Sequence, residues 1–173
     1  MRTVTFGVAN SLDNYIARTD VGVDWLRWSD EVHAIMAEYW KTIDMVVMGR
    51  KTYDVARRSG EKGTYPGVKT YVCSRTLKPG SDGAIEVVPD AVECVRSLKS
   101  QPGKGICVLG GGEVANALFE AQLIDEVGFN IHPVLLGSGI PLFLPMRRQV
   151  DLELIDCKTL STGCVMVSYR VKY

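Results

Sequence analysis

Short apolar runs alternate along this chain with segments whose apolar residues recur every three or four positions. Buried strands are predicted at 3–9, 44–49, 69–73, 84–88, 106–109 and 125–132. Five apolar residues between 32 and 40 form one stripe, which predicts a helix from an N-cap at Ser29 to about Lys41. Further helices are predicted after Gly49, from an N-cap at Asp90 to about Ser100, and after Gly112.

Other stretches favour turns and a hairpin. The polar cluster Asn10, Ser11, Asp13 and Asn14 predicts a turn directly after the first strand, and residues 59–67 predict a polar loop. Residues 133–145 are apolar but too rich in glycine and proline for a helix, so their side chains need cover. Residues 150–160 and 164–173 alternate in polarity, which predicts an antiparallel hairpin.

This order of elements predicts an α/β fold. Strands and helices alternate first and a hairpin follows, so we expect a mixed, mostly parallel sheet with helices on both faces and a C-terminal hairpin. The length of 173 residues favours one domain over 1–173.

The stretch from Val108 to Phe119 suggests a ligand site. An apolar strand stops at Gly110, Gly111 and Gly112, and a helical pattern begins at once. Strand, glycine turn and helix start together bring bare N–H groups to a diphosphate. A glycine-rich turn that binds nothing is the alternative.

Two more predicted strand ends carry anion-binding groups. Gly49 is followed by Arg50, Lys51 and Thr52, and the strand at 69–73 is followed by Ser74 and Arg75. Ligands of open α/β sheets bind outside the carboxyl ends of the strands, so we expect these groups to converge with the glycine turn. A solvated basic turn is the plainer interpretation of 49–52.

The segment between the first strand and the first helix holds candidate substrate contacts. Trp25 and Trp28 either cap the core or form an apolar wall for a flat ring, and we take Trp25 as the substrate contact. Asp30 and Glu31 are the candidate catalytic acids, although both also suit the positive end of a helix. His33 lies off the apolar stripe and is expected at the surface.

Composition excludes several classes of function. Twenty basic residues balance twenty acidic ones, which gives no support for a nucleic-acid or membrane-surface partner. No apolar run approaches the ~20 residues of a membrane span. Five scattered cysteines and no signal peptide predict a cytoplasmic protein with reduced thiols, and two histidines without Cys-x-x-Cys predict no metal site.

The motifs together resemble a known family. The segments Met48–Tyr53, Cys73–Arg75 and Leu109–Val114 stand in the order found in the dihydrofolate reductase fold. The segments Ser11–Asp13, Leu123–Val127 and Ile131–Phe143 look more like its branch from riboflavin biosynthesis, the C-terminal reductase domain of the bifunctional deaminase-reductase. The deaminase motifs His-x-Glu and Pro-Cys-x-x-Cys are absent, which favours a reductase domain alone.

The resemblance implies NADPH as the hydride donor and assigns residues to it. The adenosine phosphates, including the 2′-phosphate, would be held by Gly49, Arg50, Lys51, Thr52, Ser74 and Arg75. The diphosphate would meet Gly110, Gly111, Gly112, Glu113 and Val114, and the nicotinamide would lie near Ala9 and Ile16.

Our first hypothesis is therefore an NADPH-dependent reductase of a small heterocyclic substrate, similar to 5-amino-6-(5-phosphoribosylamino)uracil reductase. A dihydrofolate or pteridine reductase is the alternative, although Val68 stands where dihydrofolate reductases usually carry an arginine. An ordinary Rossmann dehydrogenase and a nucleotide-binding protein without catalysis are further possibilities. We also predict a homodimer, because residues 133–145 and the apolar hairpin exceed what one small core covers.

Overall fold

A computed structural model describes residues 1–58 and 67–173 of the chain. Of the loop predicted at 59–67, only Gly67 falls within these ranges. The strands are β1 Val4–Ser11, β2 Tyr15–Ala17, β3 Ile43–Gly49, β4 Lys69–Cys73, β5 Gly80–Asp82, β6 Ile85–Val88, β7 Gly105–Leu109, β8 Glu126–His132, β9 Ile140–Pro141, β10 Asp151–Thr159 and β11 Val165–Lys172. The helices are α1 Asp30–Lys41, α2 Arg50–Arg58, α3 Ala91–Ser100 and α4 Gly112–Glu120.

Nine of the strands form one mixed sheet in the order β10-β11-β8-β1-β7-β3-β4-β6-β5. The six strands from β8 to β6 run parallel, and antiparallel strands flank them at both edges. The predicted mixed sheet, the interior place of the first strand and the C-terminal hairpin are confirmed. The edge strand β5 and the small β2–β9 sheet were not predicted, because strands of two or three residues carry too short a pattern.

Helices cover both faces of the sheet and give the molecule three layers. On one face, apolar residues of α3 and α4 pack against Phe6 of β1 and Val47 of β3. On the other face, Tyr39 and Trp40 of α1 and Tyr53 of α2 pack with the facing residues of β3, β4 and β7. Among the described residues, none of the helices is long and apolar enough to cross a bilayer.

Two helix starts follow the sequence closely. The Ser29 hydroxyl accepts a hydrogen bond from the backbone N–H of Val32, which caps α1. The Asp90 carboxylate accepts hydrogen bonds from two N–H groups of the first turn of α3. Both caps are confirmed, because capping depends on residues within one turn of each other.

The turn predicted at Asn10 begins later than the sequence suggested. Asn10 and Ser11 continue β1 and are almost fully buried. Local groups satisfy most of these polar atoms: Asn10 Nδ2 donates to the Ser11 carbonyl, and Ser11 Oγ donates to Asp13 and accepts from the N–H of Tyr15. Asn10 Oδ1 has no partner among the described residues. The polar cluster therefore closes the end of a strand instead of interrupting it.

The apolar segment 133–145 is not helical, as predicted, and is partly covered by the chain itself. Its start is held by the Asp13 carboxylate, which accepts hydrogen bonds from the N–H groups of Leu136 and Gly137 at 3.1 and 2.8 Å. Leu142 is buried in the core, and the ring of Phe143 packs edge-on against that of Phe6. Leu135 remains well exposed.

Candidate functional site

The three strand ends with anion-binding groups lie side by side. β3 lies between β7 and β4 in the sheet, with Met48 opposite Leu109 and Gly49 opposite Cys73. All three strands are parallel, so their carboxyl ends meet at one edge of the sheet. The structure therefore brings together the segments that follow Gly49, Cys73 and Leu109.

The glycines of the turn after β7 have three different surroundings. Gly110 has a φ of 92°, and a Cβ there would overlap the Thr52 hydroxyl at the start of α2. Gly112 is buried, and its Cβ would lie 3.2 Å from the carbonyl oxygen of Leu142. Gly111 faces open space, since no described residue places an atom within 4 Å of its Cβ position. Gly110 and Gly112 allow close packing, and Gly111 leaves room outside the turn.

The start of α4 suits an anion. Gly111 is the N-cap and offers no side-chain acceptor to the N–H groups of the first turn. Such uncapped N–H groups, together with the helix dipole, favour a negatively charged group. Val114 packs close to Gly49, at 3.2 Å from the position of a Cβ on that glycine, so α4 and the start of α2 adjoin.

An exposed ion pair connects the two helix starts. The Lys51 ammonium lies 2.9 Å from the Glu113 carboxylate, and both side chains are largely in water. Glu113 thus neutralises Lys51 in this structure. A surface pair of this kind contributes little to stability, so a phosphate can readily replace the carboxylate as the partner of Lys51.

The remaining basic and hydroxyl groups of this edge differ in how strongly the chain holds them. Arg50 donates to the Thr76 hydroxyl at 2.7 Å and pairs with Asp54. Ser74 is buried, and its hydroxyl accepts hydrogen bonds from the N–H groups of Thr76 and Leu77. Ser74 therefore closes its own turn.

The Arg75 side chain differs from these. It is exposed, and it makes no ion pair or hydrogen bond with any residue the structure describes. It is therefore free to reach a bound anion.

Ala9 and Ile16 lie beyond the glycine turn, on the other side of β7. Ala9 is half-buried near the carboxyl end of β1, and Ile16 is half-buried in β2, packed against the main core. Ala9 pairs in the parallel ladder with Asn130 of β8. Because β1 pairs with β7, Ala9 lies one strand away from the strand that ends at the glycine turn.

The two candidate acids lie at the start of α1 in different surroundings. Asp30 is exposed. The Glu31 carboxylate accepts hydrogen bonds from the N–H and hydroxyl of Ser161 at 3.0 and 3.2 Å, and it pairs with Lys158. These contacts, the Ser161 N–H first, lower the pKa of Glu31. Glu31 therefore ties α1 to the turn of the C-terminal hairpin.

The indole of Trp25 meets a buried histidine. Its ring packs edge-on against that of His132, with centroids 5.4 Å apart. His132 is 1% exposed, and Nδ1 lies 3.2 Å from the Arg27 N–H and 3.3 Å from Cys164 Sγ. Burial, and then the Arg27 charge, lower the pKa of His132. No local pattern predicts this cluster, because Arg27 and Cys164 lie 105 and 32 positions from His132 in the chain.

Two surface cavities lie at the opposite edge of the sheet. Both are lined by Arg2 and Thr3, next to the amino ends of the strands, and their volumes are about 380 and 440 Å³. Neither contains a residue of the converging strand ends. Within the described ranges, no group of three His, Cys, Asp or Glu side chains is placed to hold a metal ion.

Comparison with known proteins places this geometry in a family. A family model described as the RibD C-terminal domain matches residues 2–166. The uncharacterized proteins YyaP and YwjB of Bacillus subtilis (strain 168) are each 30% identical to the chain. Their matches cover 98% and 91% of this chain and 95% and 91% of the relatives.

Solved structures agree with this match. A Shewanella sp. PV-4 protein named for riboflavin biosynthesis superposes with a TM-score of 0.84 at 25% identity, over 100% of both chains. The diaminohydroxyphosphoribosylaminopyrimidine deaminase/5-amino-6-(5-phosphoribosylamino)uracil reductase of Thermotoga maritima has a TM-score of 0.73 at 16% identity and shares the fold over 98% of this chain and 56% of its own. The resemblance inferred from the motifs is confirmed, and the chain belongs to the RibD C-terminal domain family.

Proposed function

We propose that this protein is an NADPH-dependent reductase of a small heterocyclic substrate, similar to 5-amino-6-(5-phosphoribosylamino)uracil reductase. The observation that carries the proposal is the convergence of the strand ends of β7, β3 and β4. It gathers along one edge of the sheet a helix start without a side-chain cap, a glycine with no described atom near its Cβ position at Gly111, and an exposed cation at Arg75 that pairs with no described residue. Family membership supports a reductase, and the dinucleotide specificity is our inference from these groups.

The residues present fit a dinucleotide. The N–H groups at the start of α4 would hold the diphosphate, with Lys51 turning from Glu113 to a phosphate. Arg75 would pair with the 2′-phosphate, while Arg50 and Ser74 keep the neighbouring turns in shape. Ala9 and Ile16 would provide the apolar surface near the nicotinamide. When bound, NADPH supplies the hydride, and the protein's part is to bind, orient and exclude water.

Replacing Gly111 by alanine tests the site with little effect on the fold. Gly111 has a φ of −71°, which alanine adopts readily, and no atom of a described residue lies within 4 Å of its Cβ position. We expect Gly111→Ala to lower the unfolding free energy by about 1 kcal/mol at most, because alanine is a poorer N-cap than glycine. The new methyl would stand where the diphosphate approaches, so NADPH affinity should fall by about tenfold or more, which is ~1.4 kcal/mol. Fluorescence titration with NADPH and denaturant unfolding measure the two quantities.

Three outcomes separate the competing functions. Oxidation of NADPH by a uracil-type substrate supports the reductase, and oxidation with dihydrofolate instead supports the folate alternative. NADPH binding without turnover of either supports a non-catalytic nucleotide-binding protein. If wild-type protein binds no NADPH, or Gly111→Ala binds it as well as wild type, the proposed cofactor site is wrong.

A further inference from the structure

The carboxyl end of β8 carries two polar side chains that the cofactor site does not use. The buried atoms Asn130 Oδ1 and His132 Nε2 have no hydrogen-bond partner within residues 1–58 and 67–173. The two residues are two positions apart on one strand, so their side chains leave the same face of the sheet. Unpaired buried polar atoms are costly and rare in native proteins. Both atoms are therefore open to a partner beyond the described residues, such as a ligand group or a water.

The contacts of His132 define what kind of partner its free nitrogen needs. Nδ1 accepts the hydrogen bond of the Arg27 backbone N–H, and the Cys164 thiol lies against the same nitrogen. The buried ring is neutral, because burial disfavours its charged form. A neutral ring whose Nδ1 accepts carries its proton on Nε2. The free atom of His132 is thus a donor, and the free atom of Asn130 is an acceptor.

The register of β1 and β8 places this pair beside the apolar end of the proposed cofactor site. Ala9 pairs with Asn130, and Ser11 pairs with His132. Paired residues of parallel strands point to the same face, so the two polar side chains border the surface at Ala9.

Two glycines form the sheet surface next to these polar groups, which we call the floor, and the residues packed over this part of the sheet are apolar. Gly7 and Gly128 pair with each other two positions before Ala9 and Asn130. At Gly128, no atom of the part of the chain described here lies within 4 Å of the Cβ position. Ile35 and Met36 of α1 pack with the cluster that contains Met166, the β11 partner of Asn130. A bare floor with an apolar cover suits a flat ring.

We propose that Asn130 and His132 are the specificity-determining residues that recognise the polar edge of the substrate ring. His132 Nε2–H donates to a ring carbonyl, and the Asn130 side-chain carbonyl accepts from a ring N–H. The ligand they fit is a heterocycle that offers an acceptor and a donor together, as a cyclic amide does. This assignment rests on the proposed function, because it takes Ala9 as a neighbour of the nicotinamide.

Trp25 borders this pair. Its indole packs edge-on against His132, and its Nε1 is a further buried donor without a partner among the described residues. Trp25 lies in the segment between β2 and α1, outside any helix or strand. A ring that reaches His132 must displace this indole or pack against it.

Binding of two ring probes tests the assignment without depending on turnover. The probes are 5,6-diaminouracil and its 1,3-dimethyl analogue, which lacks both ring N–H groups, each titrated by calorimetry with and without NADP⁺. We expect wild type to bind the first probe at least tenfold more tightly than the second. Asn130→Leu removes the amide at similar volume and should weaken binding of the first probe by about ten- to a hundredfold. The preference between the probes should disappear in this variant.

The chain offers a matched control in Asn116. Asn116 Oδ1 is also buried without a partner among the described residues, but it lies on α4. Asn116→Leu should leave the affinity for both probes unchanged. For the histidine, His132→Leu should weaken binding of 5,6-diaminouracil, and His132→Gln, which keeps a donor, should recover part of it. If Asn130→Leu does not fold, Asn130→Ser carries the same expectation.

The result can separate the two proposals. The assignment is overturned if wild type binds neither probe, or if the Asn130 variants keep the wild-type preference. A protein that binds 5,6-diaminouracil through Asn130 with or without NADP⁺ but never binds NADPH would overturn the proposed function and leave the recognition pair standing. Equal losses in the Asn130 and Asn116 variants would show a general effect of leucine on folding, and would also overturn the assignment.

Discussion

Single residues at the converging strand ends divide into those that the chain already holds and those left to a ligand. Ser74 satisfies the N–H groups of its own turn, and Arg50 is held by Thr76 and Asp54. Gly111 and Arg75 make no such contacts with described residues. The sequence motifs name all of these positions equally, whereas the structure indicates that only the second kind is free to bind.

Arg75 is the residue we expect to distinguish NADPH from NADH. A charge-assisted hydrogen bond contributes about 1.5–3 kcal/mol, so Arg75→Ala should weaken NADPH binding by roughly ten- to a hundredfold. NADH has no 2′-phosphate, and its affinity should hardly change. Titration of both cofactors measures the difference, with Arg58→Ala at the far end of α2 as a control for loss of one exposed charge. Equal losses for both cofactors would show that Arg75 does not contact the 2′-phosphate.

Several helices, strands and loops of this fold are joined by hydrogen bonds between residues far apart in the sequence, which no local pattern predicts. The starts of α1 and α3 were predictable, because Ser29 and Asp90 cap N–H groups within three residues of themselves. Asp13 instead holds residues more than 120 positions away, and Glu31 holds Ser161, 130 positions away. From sequence, Asp13 suggested a turn residue and Glu31 a helix-start charge or a catalytic acid, since long-range partners leave no periodic signal.

The tie between α1 and the hairpin turn predicts a stability effect for Glu31. Its pKa is lowered in the folded protein, so its contribution is present at neutral pH and is lost as the pH falls through its folded pKa. We expect Glu31→Gln to lower the melting temperature at pH 7, and the difference from wild type to vanish in acid. Asp30→Asn, one position away and exposed, is the matched control and should have little effect.

The same two variants test the catalytic assignment of these acids. Both should keep NADPH affinity, because neither lies at the strand ends that would bind it. Loss of a general acid or base typically costs ~10²–10⁴ in rate. Wild-type hydride-transfer rates in both variants across pH would mean that neither acid is catalytic. A rate loss of ~10² in either would assign it to the reaction.

At the scale of the whole molecule, the sequence predicted the helices and strands better than the order in which the strands lie side by side in the sheet. The alternation of strands and helices was enough to predict a mixed sheet with helices on both faces. Without the resemblance, nothing local places β7 between β1 and β3, or β8 beside β1. The pairing of Ala9 with Asn130 follows only from that order and register. For this reason the phosphate-binding motifs could be found from sequence, and the polar pair on β8 could not.

The last prediction concerns the oligomeric state, and the structure changes which apolar surface supports it. The segment 133–145 is partly covered, because Leu142 is buried and Phe143 packs against core rings. A second set of uncovered apolar side chains lies on the edge strand β10, all of whose residues are exposed, including Leu152 and Leu154 at 44% and 57%. Exposed apolar edge strands invite pairing with another chain.

We therefore expect a homodimer whose interface includes β10. Light scattering at micromolar concentration should give twice the mass of the chain. Leu154→Lys should give the monomer mass, because dimerisation would bury the lysine ammonium or bring it close to the same lysine of the second copy. Leu135→Lys is the control, since Leu135 is at least as exposed but lies in the segment 133–145. Dissociation by Leu135→Lys alone would move the interface to that segment. A wild-type protein with the monomer mass would show that this apolar edge stays uncovered in solution and that the predicted dimer is wrong.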